Sequence, residues 1–108
     1  MSEYLHYTYR VEWSAEDGEF VGKVAEFPAL SWLAATQAGA LTGIVDLVRE
    51  VVADLQSAGE PIPVPFSERR YSGEFKVRVP PELHRALVVR AAEEHVSLNR
   101  LVSMKLAS

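Results

Sequence analysis

The chain has 108 residues, of which 48% are hydrophobic and 24% charged, a composition typical of globular proteins and unlike that of disordered or fibrous chains. It contains no cysteine, which excludes disulfides and thiolate metal sites. Because no apolar run is long enough to span a membrane and the N-terminus lacks the pattern of a secretory signal, we expect a cytoplasmic protein with no membrane association.

The net charge of −4 hides an asymmetry. Residues 1–60 contain ten acidic and three basic side chains, a net charge of −7, whereas residues 61–108 contain eight basic and five acidic ones, a net charge of +3. An acidic half joined to a basic half predicts two surfaces with different partners, the basic one fitting a polyanion.

The first sixty residues predict a small sheet. Tyr4 to Trp13 alternates as a strand does, with Tyr7, Tyr9, Val11 and Trp13 on one face. The turn signal Glu16-Asp17-Gly18 leads into a second strand from Phe20 to Ala25, and Leu30 to Leu33 forms a short third one.

A long helix and a proline-rich segment follow. Thr36 offers a capping hydroxyl for a helix that runs to about Ala58, in which apolar residues recur at three- and four-residue spacings. Three prolines then stand at alternate positions between Glu60 and Pro65, and proline cannot continue a helix. We therefore predict an α+β domain over residues 1–60, a stiff extended linker over 61–70 and a second domain over 71–108.

The second domain begins with an alternating strand, Glu74 to Val79, which Pro80 and Pro81 end. Helices are predicted from Glu82 to about Glu94 and from Leu98 to Ala107, with Ser97 as the capping residue between them. One strand and two helices in under forty residues form too small a core for a monomer. The pattern predicts an intertwined dimer.

Alternation divides this strand into an apolar and a polar face. If two copies pair antiparallel about a two-fold axis, the apolar face seals the dimer core together with helix residues. That predicted core consists of Phe75, Val77, Val79, Leu83, Leu87 and Leu101. The polar face forms a ribbon that fits the major groove, where its three side chains could read bases. They are Glu74, Lys76 and Arg78.

This arrangement of strand, proline, helix, Val-Ser-Leu-Asn turn and second helix resembles the ribbon-helix-helix family of repressors over residues 74–107. The resemblance implies that Glu74, Lys76 and Arg78 contact bases of a double-stranded DNA operator. It also implies that Ser97, Leu98 and Asn99 present the amides of a helix N-terminus to a phosphate. By charge alone, Arg69, Arg70 and Arg100 are further candidate phosphate contacts.

The whole chain resembles a narrower family, the HicB antitoxins. The matching stretches include Tyr7-Thr8-Tyr9-Arg10-Val11, Glu26 to Leu33, Gly59 to Pro63, and Val79 to His84. The resemblance implies a first domain of partial ribonuclease H-like topology that masks a basic, RNA-cleaving HicA-like toxin, and a second domain that represses the shared operon as a homodimer or homotetramer. Acids near strand ends are the candidate toxin-facing residues. These are Glu16, Asp17, Glu19 and Glu26.

Catalysis is not expected. Ribonuclease H-type chemistry needs carboxylates that hold two metals, and the first strand offers only Glu12, while Asp46, Glu50 and Asp54 follow one another at helical spacing. We predict no catalytic residue, no metal site and no cofactor. Two alternatives stay open, namely a ribbon-helix-helix regulator without a toxin partner and a degenerate hydrolase with weak nuclease activity.

Overall fold

The computed structural model describes residues 3–108. The chain is α+β, with a small three-stranded antiparallel sheet followed by helices. It divides into two compact units: unit 1 ends at Tyr71, and unit 2 runs from Ser72 to Ser108. Within residues 3–108, no helix is both long and apolar enough to cross a bilayer.

The sheet of unit 1 is a meander of strands β1 (Tyr9–Ser14), β2 (Glu19–Val24) and β3 (Ser31–Ala34) in the order β1-β2-β3. The first strand starts later than predicted, because Glu3–His6 forms a short 3₁₀ helix. The hydroxyl of Tyr9 donates to the carbonyl oxygen of Tyr4 at 2.6 Å, which ties this turn to the start of β1.

One face of the sheet is covered by helix α1 (Gln37–Ser57). The hydroxyl of Thr36 accepts a hydrogen bond from the amide of Gly39 at 3.0 Å, so the predicted N-cap is confirmed. The helix ends at Ser57 and is followed by Gly59, which adopts a left-handed conformation (φ 69°) that glycine takes up without steric cost. The predicted length of this helix is confirmed within one residue.

The core of unit 1 lies between α1 and β2. Its buried side chains are Tyr7, Val24, Ile44 and Val48. Gly22 sits directly below the helix, where a Cβ atom would lie 2.5 Å from the carbonyl oxygen of Ala40 and 2.8 Å from Cγ2 of Ile44. Only glycine therefore allows this close approach of strand and helix.

Residues 61–71, which we call the strap, are hydrogen-bonded to residues just before β1 and just after β2. The hydroxyl of Tyr7 donates to the carbonyl oxygen of Pro63 at 2.7 Å, and the amide of Phe66 donates to Glu26 at 2.9 Å. Nδ1 of His6 lies 2.9 Å from a carboxylate oxygen of Glu68. The segment predicted as a linker is thus hydrogen-bonded to the first unit over much of its length.

Unit 2 contains helices α2 (Pro81–Glu93) and α3 (Leu98–Ala107). Pro81 occupies the first turn of α2, where its missing N–H costs nothing. At the turn between the helices, His95 adopts φ 57°. The two predicted helices and their boundaries are confirmed to within one residue.

Candidate functional site

The segment before α2 exposes large apolar side chains. Phe75 is 76% exposed and Val77 66% exposed. In the part of the chain that the structure describes, residues 74–79 pair with no strand. A strand needs a neighbour to satisfy its backbone N–H and C=O groups, so this segment has both an apolar face and a hydrogen-bonding edge to offer. The predicted pairing with a second copy stays a prediction.

The predicted base-reading residues Glu74, Lys76 and Arg78 are all exposed. The start of this segment is fixed locally, because the hydroxyl of Ser72 accepts from the amide of Glu74 at 3.1 Å and donates to its carbonyl oxygen at 3.3 Å. The three side chains are therefore free to contact a ligand.

The predicted dimer core is only partly closed in one chain. Leu101 of α3 is 2% exposed, and Ala91 of α2 is also buried. Leu87 is half-buried, whereas Leu83 is 46% exposed. The helix pair thus buries Ala91 and Leu101 and leaves Leu83 largely exposed.

The start of α3 has the local structure that an anion site needs. The hydroxyl of Ser97 accepts from the amide of Arg100 at 3.0 Å, and the remaining amides of a first helical turn have no acceptor within the helix. Asn99 and Arg100 are exposed, and Leu98 is half-buried.

The other two predicted phosphate contacts lie in the strap and differ from each other. Nε of Arg69 donates to the carbonyl oxygen of Val64 at 2.9 Å, and its guanidinium lies 4.1 Å from the ring centroid of Phe66. Arg70 is exposed. Arg69 is therefore held by contacts within the strap.

The predicted toxin-facing acids separate into two groups. Glu16, Asp17 and Glu19 lie in or beside the turn between β1 and β2, with Asp17 accepting from the hydroxyl of Ser14 at 2.8 Å. Glu26 is buried instead, with 8% of its surface exposed. Its prediction as a toxin-facing residue is wrong, because its carboxylate is already used inside unit 1.

Glu26 joins the sheet to the strap. It accepts from the amide of Thr8 at 2.9 Å, from the hydroxyl of Thr8 at 3.1 Å and from the amide of Phe66 at 2.9 Å. Burial of the carboxylate opposes its ionisation, but the hydrogen bonds from Phe66 and Thr8 outweigh this and lower the pKa of Glu26. Nothing in the residue pattern around Glu26 distinguishes it from the exposed acids, so sequence reasoning missed this role.

The acids considered for nuclease chemistry do not converge. Glu12 accepts from Lys23 at 2.7 Å, and this contact lowers the pKa of Glu12. Asp46 pairs with Arg49 at 3.4 Å on the outside of α1. Over residues 3–108, no group of three or more histidine, aspartate or glutamate side chains is arranged to hold a metal ion.

Comparison with known proteins gives one match. No curated protein and no solved structure matched the chain. The model of the HicB family matches residues 58–106, which include the end of the strap-bearing unit and nearly all of unit 2. HicB antitoxins are generally not enzymes. The matched segment is 49 residues long, just under half of the chain, and this part of the chain is therefore similar to the HicB family.

Proposed function

We propose that this protein is an antitoxin that neutralises a HicA-like ribonuclease toxin and represses its own operon by binding operator DNA as a homodimer or homotetramer. The observation that carries the proposal is the coincidence of the HicB family match at residues 58–106 with the exposed apolar segment in front of α2. A family known for toxin control and a segment that needs a second copy are found in the same part of the chain.

DNA binding follows from the polar residues of that segment. Once two copies pair, Lys76 and Arg78 lie on the outer face of a two-stranded ribbon, a shape that enters the major groove. Arginine and lysine there donate to O6 and N7 of guanine, and the capped N-terminus of α3 can hold a backbone phosphate. Residues 61–108 carry the net positive charge that this contact needs.

Toxin neutralisation is assigned to unit 1 on charge. A toxin that binds RNA presents a basic surface, and residues 1–60 have a net charge of −7. Complementary charge accelerates association and suppresses wrong partners. Covering the toxin's RNA-binding surface would be enough to inhibit it, without any chemistry by the antitoxin.

A second candidate function is a ribbon-helix-helix regulator without a toxin partner. It is favoured by the extent of the family match, which starts at residue 58 and so leaves the sheet of unit 1 outside it. In that case unit 1 would mediate oligomerisation or bind a small ligand.

The deciding experiment is co-expression with the protein encoded beside this gene, followed by size exclusion and an operator mobility shift. Arg78→Ala should weaken operator binding by about 1–3 kcal/mol, since a bidentate contact to a base is lost, while toxin neutralisation is retained. Arg10→Ala removes the same charge from unit 1 and should leave operator binding unchanged. If no complex forms with the neighbouring protein but the operator shift remains, the second candidate function is correct.

A further inference from the structure

The apolar face of the sheet extends past the end of the core. The row Val11, Gly22 and Trp32 lies under α1, where Gly22 contacts Ala40 and Ile44. The next row toward the β1–β2 turn contains Trp13, opposite Phe20. Trp13 is 57% exposed although it lies on the same face as the core. The helix therefore leaves this end of the sheet without cover.

The exposure of Trp13 differs in kind from that of the second tryptophan. Trp32 is 45% exposed, but its ring lies so close to α1 that a Cβ atom on Gly43 would be 2.0 Å from it. Trp13 contacts Phe20 edge to face, with ring centroids 5.1 Å apart. Trp32 thus has a packing role against the helix, while the outer side of Trp13 remains open to a partner.

An exposed tryptophan on a rigid strand is a typical anchor of a protein interface. Tryptophan is enriched among the few residues that contribute most of the binding energy. The adjoining turn is ordered by short hydrogen bonds, since the amide of Gly18 donates to the carbonyl oxygen of Ser14 at 2.9 Å and Ser14 donates to Asp17. A preformed surface avoids the entropic cost of ordering on binding.

The charge around Trp13 identifies the occupant. Glu16, Asp17 and Glu19 are within six residues of it, and Glu19 stands opposite Ser14 at the end of the hairpin. A second copy docked here about a two-fold axis would bring six carboxylates together, which is unfavourable. Phosphates of nucleic acids or lipids would meet the same repulsion. A basic protein surface with an apolar recess fits both the ring and the acids.

We propose that the hairpin end, defined by Trp13, Phe20, Glu16, Asp17 and Glu19, is the docking surface for a basic protein partner, with Trp13 as its anchor. The inference rests on the proposed function in taking that partner to be the HicA-like toxin. The surface lies on one end of unit 1, so the toxin contacts the hairpin rather than the acidic outer side of α1.

The test measures binding of the full-length chain to the HicA-like protein encoded beside it, by calorimetry at low and high salt. Trp13→Ala should weaken binding by about thirtyfold or more, as for an interface hot spot. The double variant Glu16→Lys/Glu19→Lys should weaken it by about tenfold or more at low salt and less at high salt, because salt screens exposed charges. The control Glu50→Lys/Asp54→Lys makes the same change in net charge on α1 and should stay within about threefold of the unaltered chain.

Each result has one meaning. If the unaltered chain binds and both hairpin variants bind equally well, the docking surface is wrong while the proposed function stands. If the α1 control weakens binding as much as the hairpin variant, only total charge matters and the surface is again wrong. If the unaltered chain does not bind the neighbouring protein, the proposed function fails and the inference fails with it.

Folding and self-association are checked on the same samples. Far-ultraviolet circular dichroism and the emission of Trp32 report whether Trp13→Ala is folded. If it is not, the lysine variants decide, because their acidic side chains have no part in the hydrogen bonds of the turn. A change in the oligomeric state of Trp13→Ala with toxin binding retained would show that a second copy covers this surface, and would overturn the proposal.

Discussion

The two units differ in what a single copy of the chain can bury. Unit 1 encloses Val24, Ile44 and Val48 almost completely between a sheet and a helix. Unit 2 buries only Ala91 and Leu101 to that extent among the described residues. Its largest apolar side chains point into solvent instead.

From this difference we predict that unit 1 is stable by itself and that unit 2 is stabilised by a partner surface. A folding unit of fewer than about forty residues rarely encloses a stable core alone, and unit 2, from Ser72 to Ser108, is of that size. Unit 1 is about twice as long and has no such need. Variants that affect only the folding of unit 1, or only the association of unit 2, test this comparison directly.

The largest effect is expected from Val77→Asp. In the proposed dimer both copies of Val77 become buried, so the change removes two buried side chains and adds two unpaired carboxylates. Weakening of the dimer by about 4 kcal/mol or more is expected, because burying one valine is worth about 1.5 kcal/mol or more before any charge penalty. Analytical ultracentrifugation across a concentration series measures it.

A matched change in unit 1 serves as the control. Val64 is 52% exposed in the strap, and Val64→Asp should leave the dimer unchanged. If Val77→Asp, Val64→Asp and the unaltered chain all dimerise with the same affinity, the segment around Phe75 is not the dimer contact.

The next largest effect is expected from Ile44→Ala in unit 1. Ile44 is 0% exposed, and truncation of a buried isoleucine costs about 2–5 kcal/mol through lost transfer energy and a cavity. Both tryptophans of the chain, Trp13 and Trp32, lie in unit 1, so urea unfolding followed by their fluorescence reports this unit alone. Leu41→Ala, at a side chain 45% exposed, should cost under about 1 kcal/mol. A similar loss at both positions would place the core elsewhere.

The sequence predicted most of the secondary structure. Period-two alternation, the cap at Thr36 and the proline at the start of α2 are local signals that depend on few neighbours, and the elements they predict are present. The strand from Glu74 to Val79 was also predicted from alternation. In the single chain these residues form no strand, because no other strand of the described residues pairs with them, and pairing with a second copy stays a prediction.

The parts that sequence could not supply depend on distant contacts. Glu26 resembles the exposed acids until the fold brings Thr8 and Phe66 to its carboxylate. Trp13 shares one face of β1 with Tyr9 and Val11, and it is nevertheless 57% exposed because α1 does not cover this end of the sheet. Neither the burial of Glu26 nor the exposure of Trp13 can be predicted from the spacing of residues along the chain.

Glu26→Gln tests whether the strap belongs to unit 1. Both carboxylate oxygens accept from backbone amides, and the glutamine amide keeps only one acceptor oxygen and loses the charge. About 1.5–3 kcal/mol of unit 1 stability should therefore be lost at pH 7, the range for a hydrogen bond to a charged group. The lowered pKa of Glu26 means that its carboxylate stabilises the folded state fully above its ordinary pKa of 4.5 and progressively less as the pH falls through the lower folded value.

The pH series gives the sharper measurement. The unaltered chain should lose stability below about pH 4.5 more steeply than Glu26→Gln, because the variant has no carboxylate to protonate at this site. Glu60→Gln, at an exposed position, is the control and should retain the steeper acid loss. Parallel acid curves for Glu26→Gln and the unaltered chain would show that the strap contact adds nothing to stability.

The smallest effects compare the ends of two helices that terminate in the same way. After α1, the amide of Glu60 donates to the carbonyl oxygen of Leu55, and after α2 the amide of Val96 donates to that of Ala91, so both ends form the same capping motif. Its left-handed residue is Gly59 in unit 1 (φ 69°) and His95 in unit 2 (φ 57°). A side chain in that conformation destabilises the folded state by about 1–2 kcal/mol. Glycine avoids this cost, but it destabilises the folded state by about 0.5–1 kcal/mol because the unfolded chain has more freedom to lose.

These opposing terms predict changes of opposite sign. Gly59→Ala should destabilise unit 1 by about 1 kcal/mol, as read by tryptophan fluorescence. His95→Gly should stabilise unit 2 by about 0.5 kcal/mol, the excess of the side-chain cost over the entropy of glycine. The measurement is the part of the circular dichroism change during thermal unfolding that tryptophan fluorescence does not follow, since α1 of unit 1 also contributes to that signal. Because unit 2 is expected to unfold together with its dimer, the midpoint for His95→Gly should rise with protein concentration, whereas that for Gly59→Ala should not. A midpoint of unit 2 that is independent of protein concentration would mean that the helix pair is stable in a single chain. The two units would then differ in how many apolar side chains they expose, and not in whether they need a partner.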